Sequence, residues 1–302
     1  MRITQSIISR MGLAQIDGAR SRIVRTQEQA STGLRINRPS DDPTDYRTAR
    51  DLRDAMSQTE RFQRSIDLSR TRIRTTENAI TDSLDLLAEA KVAALAARNG
   101  TAGDGDRAAR RMQVESLFES LLDNANRVAP GGGYVFAGTA SDTAPFVQTG
   151  AFAAGSPAPT VGFVGENSDL EVEIDEGVFM EVTLDGERVF QGGVDVFSTV
   201  GNLWQAIDQG DEAAMDAAIG ELDLAMAQLR NEQSRIGNEE RKADKREERL
   251  ALQLQELTAQ LSSVEDADVF EVFSDLAAQE AALQSSLQVA SRLLGPTLLE
   301  FL

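Results

Sequence analysis

From Leu222 onward the chain repeats one seam without interruption. Leu222, Met226, Leu229, Gln233, Ile236, Glu240, Ala243, Glu247, Leu250, Leu254, Leu257, Leu261 and Val264 follow at alternating steps of four and three. Such a heptad keeps one face of a single helix toward a partner helix. At 1.5 Å per residue that helix runs roughly 63 Å, too long for an element of a compact globule of this size. The pattern therefore predicts an elongated molecule. After a short acidic break at Glu265 to Asp268, a second helical pattern runs from Val269 to Leu294. Gln233, Glu240 and Glu247 sit where an isolated dimeric coiled coil would bury Leu or Ile, so the seam is not self-sufficient.

The partners must come from the rest of the chain. Residues 3–32 read as a helix with a narrow stripe of Ile3, Ile7, Ile16, Ala19, Ile23 and Ala30. Alone in water it would be marginal, because nucleation is costly and little area is buried. Gly33 is a stop signal. Asp42 suits an N-cap, Pro43 the first helical position, and Asp45 adds negative charge to the first turn. The helix they open continues to about Arg98, with Leu52, Ile66, Ile73, Ile80, Leu87 and Ala94 on one sevenfold register. Asn99 to Gly105 reads as a turn, and a third helix is expected from about Asp106 to Val128.

At Pro130-Gly131-Gly132-Gly133 the regime changes. Val172 and Ile174, then Val178, Met180, Val182 and Leu184, alternate with polar residues, which is strand-like. Glu176-Gly177 and Asp185-Gly186 fall where hairpin turns would lie. A short helix from Thr199 to Gln209 then leads into the long C-terminal one. The fold class expected is mainly α with a small β-rich insert. The long antiparallel coiled-coil-like helices come from both chain ends, so the domains are discontinuous.

Composition narrows the function. The 302 residues carry a formal net charge of −19 and contain no Cys and no His. So acidic a chain repels nucleic acid phosphates. The missing residue types remove thiol chemistry, disulfides, Cys/His zinc sites and every Ser-His or Cys-His mechanism. Residues 1–75 hold 15 Arg against nine acids, a net of +6. Residues 142–232 hold 18 acids against Arg188 and Arg230, a net of −16. No run of 18 apolar residues offers a membrane span. The start, MRITQSIISRMG, lacks the apolar core and cleavage site of a secretory signal peptide, which predicts cytoplasm or an export route that needs no such signal.

Candidate chemistry is thin. Ser40-Asp41-Asp42 with Asp45 lacks the alternate-ligand spacing of an EF-hand loop, and capping with turn structure is the better reading. Gly103-Asp104-Gly105-Asp106 looks like one fragment of a calcium repeat, but such repeats work by stacking. Pro130 to Gly133 is not followed by the Lys and Ser/Thr of a phosphate loop. Glu171, Glu173 and Asp175 alternate on a strand and read as a solvent-facing row rather than as paired catalytic carboxylates. The charged run Glu239 to Arg249 reads by default as a solvated, salt-bridge-laced helix surface. No catalytic, cofactor or metal residue is assigned.

One stretch is far more specific. Ser31-Thr32-Gly33-Leu34-Arg35-Ile36-Asn37-Arg38-Pro39-Ser40-Asp41-Asp42-Pro43 closely resembles the signature of flagellins and their junction proteins, roughly (S/T)-G-x-R-I-N-x-x-S-D-D. Gly33, Arg35, Asn37, Ser40, Asp41, Asp42 and Pro43 are its signature-turn residues. Three further features resemble the junction branch of that family. These are Pro43 where flagellins more often have Ala, Gly133-Tyr134-Val135-Phe136-Ala137-Gly138-Thr139 with Pro145-Phe146, and the end Leu298-Leu299-Glu300-Phe301-Leu302. The chain departs from the branch in its high Arg content and in Gly295-Pro296.

The resemblance implies a structural role rather than an enzymatic one, with no cofactor. It implies export through the flagellar type III channel without a cleaved signal peptide, and an extracellular place at the hook–filament junction. The implied partners are hook-associated protein 1, flagellin, neighbouring copies in a ring, and a cytoplasmic export chaperone on the C-terminal region. Residues 1–40 and 266–302 would be terminal assembly helices that fold on assembly, 41–138 and 199–265 a helical-bundle domain, and 139–198 an outer insert. The assembly interface would include Ile3, Ile7, Ile16, Ile23, Leu276, Leu283, Leu287, Leu294, Leu298 and Leu302. Alternatives from the same residues are a short flagellin that forms the filament itself, an enzyme using the insert's carboxylates, and an intracellular coiled-coil scaffold.

Overall fold

A computed structural model describes the backbone of residues 2–98 and 104–294 and the side chains of residues 7, 10–98 and 105–289. The element order is α1 (Arg2–Thr32), α2 (Pro43–Arg98), α3 (Asp104–Ala125), β1 (Phe146–Thr149), β2 (Thr160–Phe163), β3 (Glu171–Asp175), β4 (Val178–Glu181), α4 (Gly186–Gln191), α5 (Val196–Gln209), α6 (Glu212–Glu265) and α7 (Val269–Leu294). The mainly α class with a small β insert is thus the observed one. Most of the turn expected at Asn99 to Gly105 lies outside the described residues. The chain forms two compact units, residues 1–58 with 252–302 (unit 1) and residues 59–251 (unit 2).

In unit 2, α2 and α6 run antiparallel in a fixed register that their cross-links spell out. Arg70 bonds Asp244, Arg74 bonds Glu240, Thr81 accepts from Gln233, Lys91 bonds Asp223 and Arg98 bonds Asp216. Steps of 4, 7, 10 and 7 forward on α2 are matched by equal steps backward on α6. This accounts for the polar seam. Gln233, Glu240 and Glu247 each meet a polar partner on α2, with Arg70 Nη2 donating to Glu247 at 2.6 Å. The apolar seam residues Leu222, Leu229, Ile236, Ala243 and Leu250 are buried between them, opposite Ile66, Ile73, Ile80, Leu87 and Ala94.

The insert is built into this core. Val135, Phe136 and Ala137 of the Gly133–Thr139 motif are fully buried. Gly138 follows at φ +63°, where an added Cβ would lie 2.1 Å from the Glu166 carbonyl oxygen. No larger residue fits there. The scarce aromatic rings are concentrated here, with Phe146 against Phe163, Phe190 and Phe197 at 5.3–5.4 Å. Phe118 links Phe197 to Phe152, and Phe152 packs on Trp204. Such offset and edge contacts contribute beyond area burial.

Three local expectations need correction. The β1–β2 hairpin, paired from Phe146↔Phe163 to Thr149↔Thr160, was not visible in the sequence. Its strands have four residues each, too short to show a period. Glu176-Gly177 does turn the β3–β4 hairpin, but Asp185-Gly186 does not make a second turn. Asp185 caps α4 instead, accepting from the Glu187 amide at 2.9 Å. The row Glu171, Glu173, Asp175 does not face solvent throughout. A register irregularity between Glu173 and Asp175 turns Asp175 inward, where it is 9% exposed and accepts from Arg246 (2.5 Å) and Arg249 (2.8 Å). The charged run on α6 is therefore partly a docking face for the insert, joined by Arg235, which bonds Asp169 and Glu181.

In unit 1, α1 packs along α7, with Thr26 Oγ1 donating to Gln279 at 3.2 Å.

Candidate functional site

The signature residues form a clasp within unit 1. Gly33 ends α1 at φ +73°, its amide donating to the Gln29 carbonyl. Positive φ is what this stop requires of the backbone, and glycine accepts it at least cost. The chain then runs beside the α6–α7 break. The Arg35 amide donates to the Glu265 carbonyl at 2.7 Å, and the Ala267 amide to the Gly33 carbonyl at 2.9 Å. Leu34 and Asp266 thereby form an antiparallel bridge. What reads in sequence as an acidic break is a two-stranded contact between the two arms of the chain.

Side chains lock it. Arg35 Nη2 donates to the Val264 carbonyl (2.5 Å) and to Asp45 (2.7 Å), which satisfies a last carbonyl of α6 and holds the first turn of α2. Arg53 of α2 pairs with Glu265, a carboxylate only 3% exposed. A charge so buried is tolerated because it is paired. Asn37 Nδ2 donates to the Leu34 carbonyl, and Asp41 accepts from the amides of Asn37 and Arg38. Asp42 accepts from the amides of Thr44 and Asp45, with Pro43 at the first helical position. Ile36, buried beneath the turn, anchors it. Every charged residue of the motif thus has a mechanical task. Ser40 is exposed beside a groove lined by Arg20, Val24, Arg25 and Arg38.

The terminal helices supply the other candidate surface. Ile23 is buried; Ile16, Leu276 and Leu283 are half-buried; Ile7 and Leu287 are exposed. Leu298 and Leu302 lie outside the described residues, as do the side chains of Ile3 and Leu294. Val269, Phe270, Phe273 and Val289 are also exposed, Phe270 to 89%. Only their azimuth relative to the Val272, Leu276 and Leu283 face could have flagged them in sequence.

Perturbed ionisation lies elsewhere. Asp208 is held below the ordinary carboxylate range by the Gly155 amide and then by Arg111. Arg70 is raised chiefly by its bond to Glu247, and Arg72 is lowered by burial. These groups lie apart, with no nucleophile beside a base. Among the described residues no cluster of three His, Cys, Asp or Glu could hold a metal, and no helix is long and apolar enough to cross a membrane.

This arrangement, helical arms clasped at both chain ends around an insert, meets its match among known proteins. Residues 3–141 match the bacterial flagellin N-terminal helical region, and residues 219–302 the bacterial flagellin C-terminal helical region. The chain belongs to the flagellin family of flagellar structural proteins. Within that family it is similar to flagellar hook-associated protein 3 of Salmonella typhimurium, 24% identical over 99% of each chain. It is also similar to the flagellar filament 30.7 kDa core protein of Treponema maltophilum, 22% identical over 88% of this chain and 86% of that one. Among solved structures, a putative flagellar hook-associated protein from Vibrio parahaemolyticus shares the fold at TM-score 0.67 and 20% identity, covering 75% of this chain and all of that one. Flagellar hook-associated protein 3 from Legionella pneumophila does so at TM-score 0.62 and 14% identity, over 70% and 98%.

Proposed function

We propose that this chain is the adaptor of the hook–filament junction, joining hook-associated protein 1 to the flagellin filament as a ring outside the cell. The observation that carries the reading is end-to-end similarity to a hook-associated protein 3, insert included. The Gly133–Thr139 motif supports it, because it is a core plug rather than a variable surface loop. The work is mechanical and needs no catalysis or cofactor. Residues 1–40 and 266–302 form the assembly layer, 41–138 with 199–265 the helical layer outside it, and 139–198 the outermost insert. The chain leaves the cell by the flagellar export channel after a cytoplasmic chaperone has held its C-terminal region.

The clasp gives this reading its physical basis. It fixes where the two arms turn back, so that α1 and α7 are presented side by side with their remaining apolar faces uncovered. Coupled folding and binding suits so narrow a stripe. Ile7→Asp or Leu287→Asp is expected to abolish assembly while unit 2 keeps its melting transition, read by sedimentation and circular dichroism. Loss of the unit 2 transition in either variant contradicts the proposal.

A second reading, a short flagellin, draws on the similarity to a filament core protein. Polymerisation of the purified chain separates the two. An adaptor adds to the ends of flagellin or hook-associated protein 1 assemblies and stops. Long filaments grown from this chain alone overturn the junction reading in favour of the second.

A further inference from the structure

Unit 1 leaves two stripes of its terminal helices uncovered, and each has the same construction. On α1 the face toward α7 holds Ile16, Ile23, Thr26 and Ala30. At 3.6 residues per turn, Leu13, Arg20 and Val24 fall within about 40° of one another, and about 100° round from that face. On α7 the face toward α1 holds Val272, Leu276, Gln279 and Leu283. Phe273, Glu280 and Leu287 recur every seven residues, about 70° away from it. Leu13, Val24, Phe273 and Leu287 are 41% to 61% exposed. Each stripe therefore sets one charge between two apolar side chains, Arg20 in the first and Glu280 in the second.

A charge placed inside an apolar stripe rejects a purely apolar partner, because docking would strand it out of water. It accepts a partner that brings the opposite charge to the matching place, and so fixes register, as a single polar core position does in coiled coils. The two stripes complement each other, yet α1 and α7 of one chain meet through their other faces. Arg20 and Glu280 make no ion pair among the described residues, although the neighbouring Arg25 and Arg38 are tied to Asp41 and Glu28. The groove beside Arg20 and Val24, about 380 Å³, is rimmed by Arg25 and Arg38 and suits an acidic, apolar visitor.

We propose that the α1 stripe of one copy docks on the α7 stripe of a second copy, Arg20 against Glu280, and that this pair selects the register between copies. The contact is heterologous, so it propagates into a ring or a helix rather than closing as a dimer. The proposal rests on the assembly reading above and adds to it the pair that decides who docks where.

The chain has no native Cys, which makes the test direct. Copies carrying R20C are mixed with copies carrying E280C and treated with a short bismaleimide cross-linker. The mixture is expected to give a covalent dimer, and each variant alone none. No dimer in the mixture, or equal dimer in each variant alone, overturns the proposal. Charge reversal is the second arm, with unit 2 melting as the control for folding. R20E and E280R are each expected to weaken self-association at least tenfold in sedimentation velocity, and an equimolar mixture of the two to restore it. Unchanged single variants overturn the proposal. So does rescue confined to the R20E/E280R chain, because the pair would then lie within one molecule. Neither outcome affects the junction reading, which is scored by addition to filament and hook-associated protein 1 ends.

Discussion

The seam of α6 keeps its spacing from Leu222 to Val264, but its burial does not stay constant. In unit 2, Leu222, Leu229, Ile236, Ala243 and Leu250 are buried. In unit 1, Leu254, Leu257, Leu261 and Val264 are only half-buried. The same contrast holds on α2, where Leu52 is half-buried while Ile66, Ile73, Ile80 and Leu87 are fully so. A two-helix seam covers one side of each residue. Full burial needs a third body, and in unit 2 α3, α5 and the insert provide it. Unit 2 is thus a core with helices around it, whereas unit 1 is a helix pairing held by a clasp. Apolar surface left uncovered in unit 1 is available to partners.

The largest break in that contrast should come from the aromatic centre of unit 2. Phe146→Ala removes a ring packed against three others and is expected to cost about 3–5 kcal/mol in denaturant unfolding. Phe270→Ala in unit 1 deletes an equal ring and should stay within about 0.5 kcal/mol, since that ring is 89% exposed. Comparable losses from both would erase the distinction between core and pairing.

Next in size is the clasp. Arg53→Ala leaves the Glu265 carboxylate buried without its cation. Because Arg53 itself is about half exposed, water can reach part of the gap, and the full penalty of an orphaned buried charge is not reached. About 1–3 kcal/mol is expected, confined to unit 1. Hydrogen exchange should quicken at Arg35 and Ala267, whose amides cross between the arms, while unit 2 amides keep their rates. Slower or unchanged exchange there would show that the backbone bridge does not depend on the ion pair.

A smaller effect is expected where the insert meets α6. Asp175→Asn keeps the shape but weakens two charge-assisted bonds to Arg246 and Arg249. About 1 kcal/mol is expected, read as faster exchange in β3 and β4. Arg249 is largely exposed, so most of the effect should trace to Arg246, and Arg249→Ala alone should be nearly silent.

These sizes follow how much of the molecule could be read from its sequence. Helix limits were legible because Gly33, Asp42-Pro43 and Gly210 act locally, and so was the register of the seam. What Gln233, Glu240 and Glu247 were for could not be read, since their partners Thr81, Arg74 and Arg70 lie more than 150 residues away. The inward turn of Asp175 was hidden for a related reason. A single bulge reverses a face, and alternation in sequence assumes that none intervenes. In the candidate site the turn was recognised by motif, but its function as a clasp depends on Glu265 and Asp266, which belong to the other arm. The exposed stripes were legible in part. Leu287 lies on the heptad, whereas Arg20 looks like any surface charge until the covered face of α1 is known.

The smallest effect is a pH one, and it lies in unit 2. Asp208 accepts from the Gly155 amide at 2.8 Å and pairs with Arg111, and both hold its carboxyl below the ordinary value near 3.8. A depressed folded pKa means that the unfolded chain takes up a proton first as pH falls. The contribution is therefore complete above about pH 4 and fades as pH drops from the unfolded pKa through the folded one. Asp208→Asn abolishes that titration. Between about pH 4 and pH 2 the variant should lose less stability than the parent chain, measured as the difference between their denaturation midpoints. The effect should appear in the unit 2 transition alone, because Gly155, Arg111 and Asp208 all belong to it. Parallel profiles for the two proteins would mean that the acid sensitivity of unit 2 comes from its other ion pairs, the α2–α6 ladder first among them.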